Sequence, residues 1–443
     1  MNTKFLISFL FIFSIFKAQN IKINAPVYAG HSYIFIISQG GEEKTLSQAR
    51  VPANGKFTLH IPKEYAPYKG FARWLIDDSA EGGGLDLYIA GKDFSSSITL
   101  DPATTEKKYI IDTDNAAQSE MGELLSEEGA ILTRYYTLQR KLDTLKPTDA
   151  SYQDTKRDYQ KEILAYNNFQ KNMKSTSEDI SQYIQITNIN NDIAPVLSED
   201  PKDITKATYE YITNELDWQM LYTSGQWNEI VNIWLGTHLR EIKNPNLFAE
   251  DFQKATGRIK SPKLCTALAE EIAKTLAMQG QDEYIAALVP IIKSSGKISG
   301  YNGYLTSYTK GVLGSQASDL ILPNEGTGNK TKIIKIADKA FQQTLLFFYQ
   351  SVDCITCDQQ LRELTRNYEK LANQGVRVIA ISADKEEKDF TNRARTFPWK
   401  DTYCDYKGKA GINFKNYSVI GGPTIILVDA NGKILSRGAS INF

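Results

Sequence analysis

The stretch TLLFFYQSVDCITCDQQLRELTRNYEKLANQG, residues 344–375, carries the densest signal in the chain. Thr344-Leu-Leu-Phe-Phe-Tyr349 is a continuous apolar run of strand length, and Leu361, Leu364, Tyr368 and Leu371 then recur at helical spacing until Gly375 supplies a stop. Between them lies Cys354-Ile355-Thr356-Cys357. Two cysteines three apart at a strand-to-helix junction are placed for disulfide exchange. Free N–H groups and the positive end of the helix dipole stabilise a thiolate on Cys354, the species that attacks a disulfide.

Zinc is a poor alternative for this pair. A structural site needs four ligands, only Cys265 and Cys404 remain, and none of His31, His60 and His238 lies at ligand spacing from a cysteine or from another histidine. No metal or other cofactor is expected. A purely structural disulfide is the other alternative, against which the strand, CxxC, helix context weighs.

Outward from the pair the wiring is α/β. Val376-Arg-Val-Ile-Ala-Ile-Ser382 predicts a second strand, followed by a helix opened by Asp384 and running to about Thr396. After Cys404 come Pro423, a strand Thr424–Val428, the turn Asp429-Ala-Asn431-Gly432 and a strand Lys433–Leu435. The Asn-Gly turn predicts a terminal antiparallel hairpin on a sheet with parallel strands. The segment Gly314 to Lys332 reads as the lead-in loop. Its Gly326-Thr-Gly-Asn-Lys330-Thr331 is a decoy for a phosphate loop, because Gly does not directly precede Lys and the flanks are wrong.

The remainder divides by pattern. From about Asn20 to Thr113, short alternating segments (Tyr33–Ile37, Lys56–Ile61, Ala72–Ile76, Leu85–Ala90, Ser97–Leu100) separated by Gly-rich turns predict an antiparallel β-sandwich, with Asn54-Gly55 as a hairpin turn. His60 reads as a half-buried structural residue. From about Ala116 to Thr309 long runs rich in Gln, Glu, Lys and Tyr predict an α-helical middle domain, in which Trp227, Ile230, Val231, Trp234 and His238 mark a core face. The fold class is thus multidomain: β-sandwich over 19–113, helices over 114–311 and an α/β domain over 312–443.

Met-Asn-Thr-Lys4 followed by the apolar run Phe5–Phe16 and Lys-Ala-Gln predicts a secretory signal cleaved near Ala18, with an uncleaved anchor as the other reading. No cysteine follows that run, which excludes a lipid-modified N-terminus. No later run reaches the roughly 18 apolar residues of a membrane helix, so the mature chain is expected to lack a transmembrane segment. Export makes disulfides permissible. The 443 residues imply two or three domains. With 51 Lys and Arg against 52 Asp and Glu, there is no field to attract nucleic acid or other polyanions.

CxxC at a helix start, then β, α, and Gly422-Pro423 before a strand hairpin, resembles the thioredoxin fold, in particular periplasmic thiol-disulfide oxidoreductases of the TlpA and ResA type. The likeness covers roughly residues 312–443. Gly314–Leu320 resembles that family's entry segment, with Ser318 where proline is usual. Tyr417–Thr424 resembles its cis-proline loop, and the N-terminal regions resemble extensions on some envelope thioredoxin-like proteins. The resemblance implies Cys354 as nucleophile, Cys357 as resolving thiol, and Gly422 and Pro423 as a docking backbone for a substrate strand. It implies disulfide- or thiol-bearing envelope proteins and a separate thiol donor as partners, and a periplasmic or envelope location. Departures are Asp353 for tryptophan, Thr356 for proline, Gly422 for threonine, Phe348 for a buried acid, and no final helix before Phe443. Either lower activity, or cover of that helix's sheet face by another domain, is then expected.

Charge modulates the expected nucleophile. Asp353 and Asp358 oppose the Cys354 thiolate, and Arg362 is expected to turn back and offset one of them. A mildly acidic thiol and a reducing pair follow. Cys404 is a candidate auxiliary thiol, with burial or pairing to Cys265 as its alternatives. A peroxidase is disfavoured, because Pro-x-x-x-Thr-x-x-Cys would need proline at Phe347 or Gln350. The rival from another class is an envelope binding or scaffold protein with an inactive thioredoxin-like docking module, against which the intact CxxC weighs.

Overall fold

A computed structural model describes residues 18–80, 82–103, 108–323 and 331–441. The apolar leader up to residue 17 and the decoy loop Gly326–Lys330 lie outside the described residues. The chain divides into two compact units, with the boundary after Ile230.

The first unit opens with β1 (Gln19–Asn24), β2 (Ser32–Gln39), β3 (Glu42–Arg50), β4 (Lys56–Ile61), β5 (Lys69–Ile76), β6 (Gly84–Ala90), β7 (Phe94–Leu100) and β8 (Tyr109–Thr113). They form two four-stranded sheets, ordered β4-β1-β7-β8 and β3-β2-β5-β6. Inward residues of both sheets, among them Ile21, Phe35, Leu59, Trp74, Leu87 and Ile98, share one core. This is the alternation of a sandwich. Two details differ from the sequence reading. β1 and β7 pair in parallel. Asn54-Gly55 turns the chain between strands of different sheets, so it closes no hairpin. Gly55, at φ +70°, is instead demanded by close approach: a Cβ there would lie 2.5 Å from the Pro26 backbone.

Helices follow: α1 (Ala116–Thr144), α2 (Tyr152–Thr176), α3 (Glu178–Asn190), α4 (Pro201–Asn214), α5 (Trp218–Tyr222) and α6 (Trp227–Thr237), the last crossing the boundary. Asn115, Asp200 and Asp217 cap α1, α4 and α5 by accepting backbone N–H groups. The Trp227 to His238 face is buried throughout, as expected of a core face.

The second unit continues with α7 (Pro245–Arg258), α8 (Pro262–Met278) and α9 (Asp282–Ser295), then β9 (Leu320–Pro323), β10 (Thr331–Ile334), β11 (Gln343–Tyr349), α10 (Ile355–Asn373), β12 (Val376–Ser382), α11 (Glu387–Ala394), β13 (Asp401–Cys404), α12 (Ile412–Asn416), β14 (Thr424–Asp429) and β15 (Ile434–Gly438). The main sheet runs β13-β12-β11-β14-β15. β11, β12 and β13 are parallel, and β14 and β15 form the terminal antiparallel hairpin.

β11 is buried on both faces, which explains its unbroken apolar run. Leu345, Phe347 and Tyr349 point to the core shared with α10, while Leu346 and Phe348 point to the opposite core with Phe414 and Tyr417. α10 ends where Gly375 takes φ +74°, as its sequence position implied.

Candidate active site

Cys354 and Cys357 are joined, with Sγ atoms 2.05 Å apart, at the point where β11 gives way to α10. Cys354 is the N-cap of α10, and its sulfur accepts the Cys357 N–H at 3.2 Å. The helix terminus therefore directs an unsatisfied donor and its positive dipole end at that sulfur. The two sulfurs differ in access: Cys354 is partly exposed, whereas Cys357 is 0% exposed within the α10-side core. Val352 and Ile355 flank the pair as exposed apolar side chains.

The Gly422-Pro423 peptide is cis, and the Gly422 carbonyl oxygen lies 3.7 Å from Cys354 Sγ. Gly422 is exposed and Pro423 buried. A Cβ on Gly422 would sit 3.4 Å from Cys357 Sγ, so the glycine leaves an open approach beside the buried sulfur.

The charges around the pair are arranged differently from the sequence expectation. Arg362 makes no ion pair with Asp353 or Asp358. The partner of Asp358 is Arg393 of α11, at 2.6 Å, and Arg393 also donates to the Ser351 carbonyl at 3.1 Å. The cause is geometric: Arg362 is exposed on α10 itself, whereas α11 brings the Arg393 guanidinium across to the first turn of α10. Asp353 is exposed at φ +57°, a left-handed backbone that short polar residues tolerate better than tryptophan would.

Asp384 does not cap α11, whose N-cap is Glu386. It is buried, and its carboxylate accepts the Ser351 N–H at 2.9 Å, the Ser351 hydroxyl, and the Ser382 hydroxyl at 2.6 Å. The loop leading into Cys354 is thereby fastened to the end of β12. Neither Asp384 nor Arg393 was found by sequence reasoning, because both act across strands rather than along the chain. An aspartate two residues after the buried strand Val376–Ser382 was the one visible signal.

Cys265 and Cys404 are free thiols, so the Cys265–Cys404 alternative is not formed. Cys265 is buried in α8. Cys404 ends β13 and donates to the Asp384 carbonyl at 3.3 Å. Burial, with the Asp384 and Asp405 carboxylates adding to it, pushes the Cys404 thiol up to about 11. It stays protonated near neutrality, which works against a relay. Among the described residues, no cluster of three or more His, Cys, Asp and Glu side chains is arranged to hold a metal ion. No helix among them is long and apolar enough to cross a membrane.

Comparison with known proteins covers this region. The AhpC/TSA family matches residues 313–437. Over 137 residues the chain is 28% identical to the thiol-disulfide oxidoreductase ResA of Bacillus thuringiensis subsp. konkukian, spanning 31% of this chain and 75% of ResA. Nucleoredoxin of Homo sapiens is 31% identical over 87 residues, spanning 19% of this chain and 20% of nucleoredoxin. Among solved structures, a thiol-disulfide oxidoreductase from Bacteroides fragilis NCTC 9343 covers 29% of this chain and 92% of its own, at 25% identity and a TM-score of 0.24. Residues 313–437 thus match the AhpC/TSA family and are similar to the ResA thiol-disulfide oxidoreductases.

Proposed function

We propose that this protein is a thiol-disulfide oxidoreductase that exchanges disulfides with envelope proteins through Cys354 and Cys357, in the reducing direction. The observation that carries this is the placing of a partly exposed Cys354 at a helix N-terminus, beside the cis Gly422-Pro423 peptide and over a buried Cys357. In the reduced protein the Cys354 thiolate attacks one sulfur of a substrate disulfide. The substrate S–S bond breaks, the departing sulfur leaves as thiolate, and a Cys354 mixed disulfide forms. Cys357 then attacks Cys354, releasing the second substrate sulfur and closing the internal bond. Two electrons pass to the substrate, and a separate thiol donor restores the dithiol.

Gly422 would offer its exposed backbone to an extended substrate segment, as an added strand. The Arg393–Asp358 pair neutralises one of the two carboxylates near the thiolate, which fits a thiol of moderate acidity. The apolar leader would deliver the protein to the periplasm or cell envelope, with 19–113, 114–311 and 312–443 as its domains. The AhpC/TSA likeness does not bring peroxidase chemistry with it, since Phe347 and Gln350 stand where that pattern needs proline.

The test is the redox equilibrium of the mature protein against a glutathione series, read by thiol alkylation, with Cys354→Ser as control. A reversible two-electron couple that the variant lacks supports an oxidoreductase, and its potential gives the direction. A pair that stays locked favours a binding protein with a retired redox site.

A further inference from the structure

Among the described residues, the sandwich of the first unit ends in the edge strands β4 and β8 of one sheet and β3 and β6 of the other. An exposed edge offers a row of unpaired backbone groups on which another strand can form, and proteins blunt such edges with charge or cover them. β3 carries Glu42, Glu43, Lys44 and Arg50 along its length. β4 leaves Lys56 and His60 exposed. On β6, side chains at the start of α1 take up two carbonyls: Asn115 donates to that of Tyr88 at 2.6 Å and Gln118 to that of Asp86 at 3.2 Å.

β8 is treated differently. Its Tyr109, Ile110 and Ile111 are 40%, 44% and 55% exposed. Successive side chains of a strand point to opposite faces, so this apolar surface lies on both. Ile111 pairs with the core residue Ile98, and Tyr109 pairs with Leu100, which is itself exposed; these stand on the inner face. Ile110 stands on the outer face opposite Thr99, between the exposed charges of Lys108 and Asp112.

The backbone decides which groups a new strand would meet. In an antiparallel pair a residue directs both its N–H and its C=O at the same neighbour, and alternate residues turn the other way. The Lys108 carbonyl accepts the Asp101 N–H at 2.8 Å, and the Asp114 N–H donates to the Ser95 carbonyl at 3.1 Å. Even-numbered residues of β8 therefore face β7, and Tyr109 and Ile111 turn their backbone groups out of the sheet.

We propose that β8 is a self-association edge, which pairs antiparallel with β8 of a second copy of this chain about a two-fold axis at Ile110. Parity and charge select both the occupant and the register. Outward-turned residues must meet one another, and with Ile110 opposite Ile110, each Tyr109 exchanges both backbone hydrogen bonds with Ile111 of the other copy. On the outer face each Lys108 then stands opposite Asp112 of the other copy, so the strand is complementary to itself in charge as well as in shape. The neighbouring registers that parity allows set Ile110 against Asp112 or against Lys108, and lose this match. The four-stranded sheets of two copies become one continuous sheet in which neither β8 remains an edge.

The experiment follows the mass of the full mature chain by sedimentation velocity over a concentration series up to about 100 μM. A short strand pair buries little area, so a reversible dimer is expected. Asp112→Lys sets like charges opposite each other on both sides of the axis and should raise the dimer dissociation constant about tenfold or more. Lys108→Asp combined with Asp112→Lys exchanges the charges and should restore wild-type association. Circular dichroism checks that each variant is folded. Independently, Ile110→Cys in a Cys354→Ser, Cys357→Ser background should form a disulfide-linked dimer about tenfold or more faster than Thr99→Cys in the same background, because opposite residues of a strand pair bring their Cβ atoms to about 4.5–5.5 Å and Thr99 lies one strand further in.

A wild type that stays monomeric over the whole series overturns the proposal. So does a dimer that Asp112→Lys leaves intact, a folded double variant that does not regain association, or equal cross-linking through positions 110 and 99, each of which would place association on another surface.

Discussion

The Arg437 guanidinium on β15 lies 3.1 Å from the Asp282 carboxylate in the first turn of α9, both nearly buried. Burial lowers the pKa of Arg437 and raises that of Asp282, each shift opposed by the other charge. Because Arg437 also holds the carbonyls of Tyr417 and Ser418, one side chain ties the hairpin, the helix and the approach to the cis-proline loop together.

Removing Arg437 alone should therefore cost more than the pair is worth. Arg437→Met is expected to destabilise the second unit by about 3–5 kcal/mol, since it leaves Asp282 buried without its counter-charge. The double variant with Asp282→Leu should recover most of that loss. Urea denaturation followed by tryptophan fluorescence checks both, and an equally unstable double variant would refute the account.

The cysteines should separate cleanly by role. Cys354→Ser is expected to abolish exchange, whereas Cys357→Ser should accumulate mixed disulfides that cannot resolve. Cys404→Ser should exchange at the wild-type rate, because a thiol with a pKa of about 11 is protonated at neutral pH. Acid trapping and alkylation on denaturing gels distinguish the three.

The charges near Cys354 predict opposite shifts for two variants. Asp353→Asn should lower the Cys354 thiol pKa and Arg393→Met should raise it by releasing Asp358. Arg362→Met should leave it unchanged. The pH dependence of iodoacetamide alkylation reads all three, and a shift only in the Arg362 variant would reverse the assignment.

Asp384 should matter through the loop it fastens. Asp384→Ala leaves the Ser351 N–H and two hydroxyls without their acceptor, so a loss of about 2–3 kcal/mol is expected together with slower exchange at Cys354. Normal stability with normal exchange kinetics would show that the loop needs no such fastening.

The pH dependence of stability should carry the mark of His238. Burial lowers its pKa from 6.5 to about 4, with Asp251 opposing. The unfolded chain therefore takes up a proton as pH falls below 6.5, while the folded protein resists until about 4. Stability is full above that window and declines through it, by roughly 3 kcal/mol at the lower end. His238→Gln should flatten this part of the profile, measured as urea midpoints between pH 7 and pH 4.

Much of this was legible along the chain, and what was not has a common cause. The strand Val376–Ser382 and the helix ending at Gly375 follow from burial on both faces and from a left-handed stop, which are local patterns. The cysteine pair and Pro423 announce themselves by spacing. Arg393, Asp384 and Arg437 act between elements distant in sequence, and apart from the place of Asp384 after a buried strand nothing in their immediate neighbours marks them. Asn54-Gly55 misled for the same reason: its local chemistry specifies a turn, but which sheets the flanking strands join is decided by the core that Ile21 and Trp74 share.

The parallel pairing of β1 with β7 bears on how the first unit assembles. β1 is an interior strand, with Ile21 opposite Leu59 on one side and Phe94 on the other. Synthesised first, it gains its second neighbour only when β7 emerges, which is a non-local closure of the kind that slows folding. A deletion of only these six residues would accordingly do more than trim an edge, because it would separate β4 from β7 and β8 and cut the sheet in two.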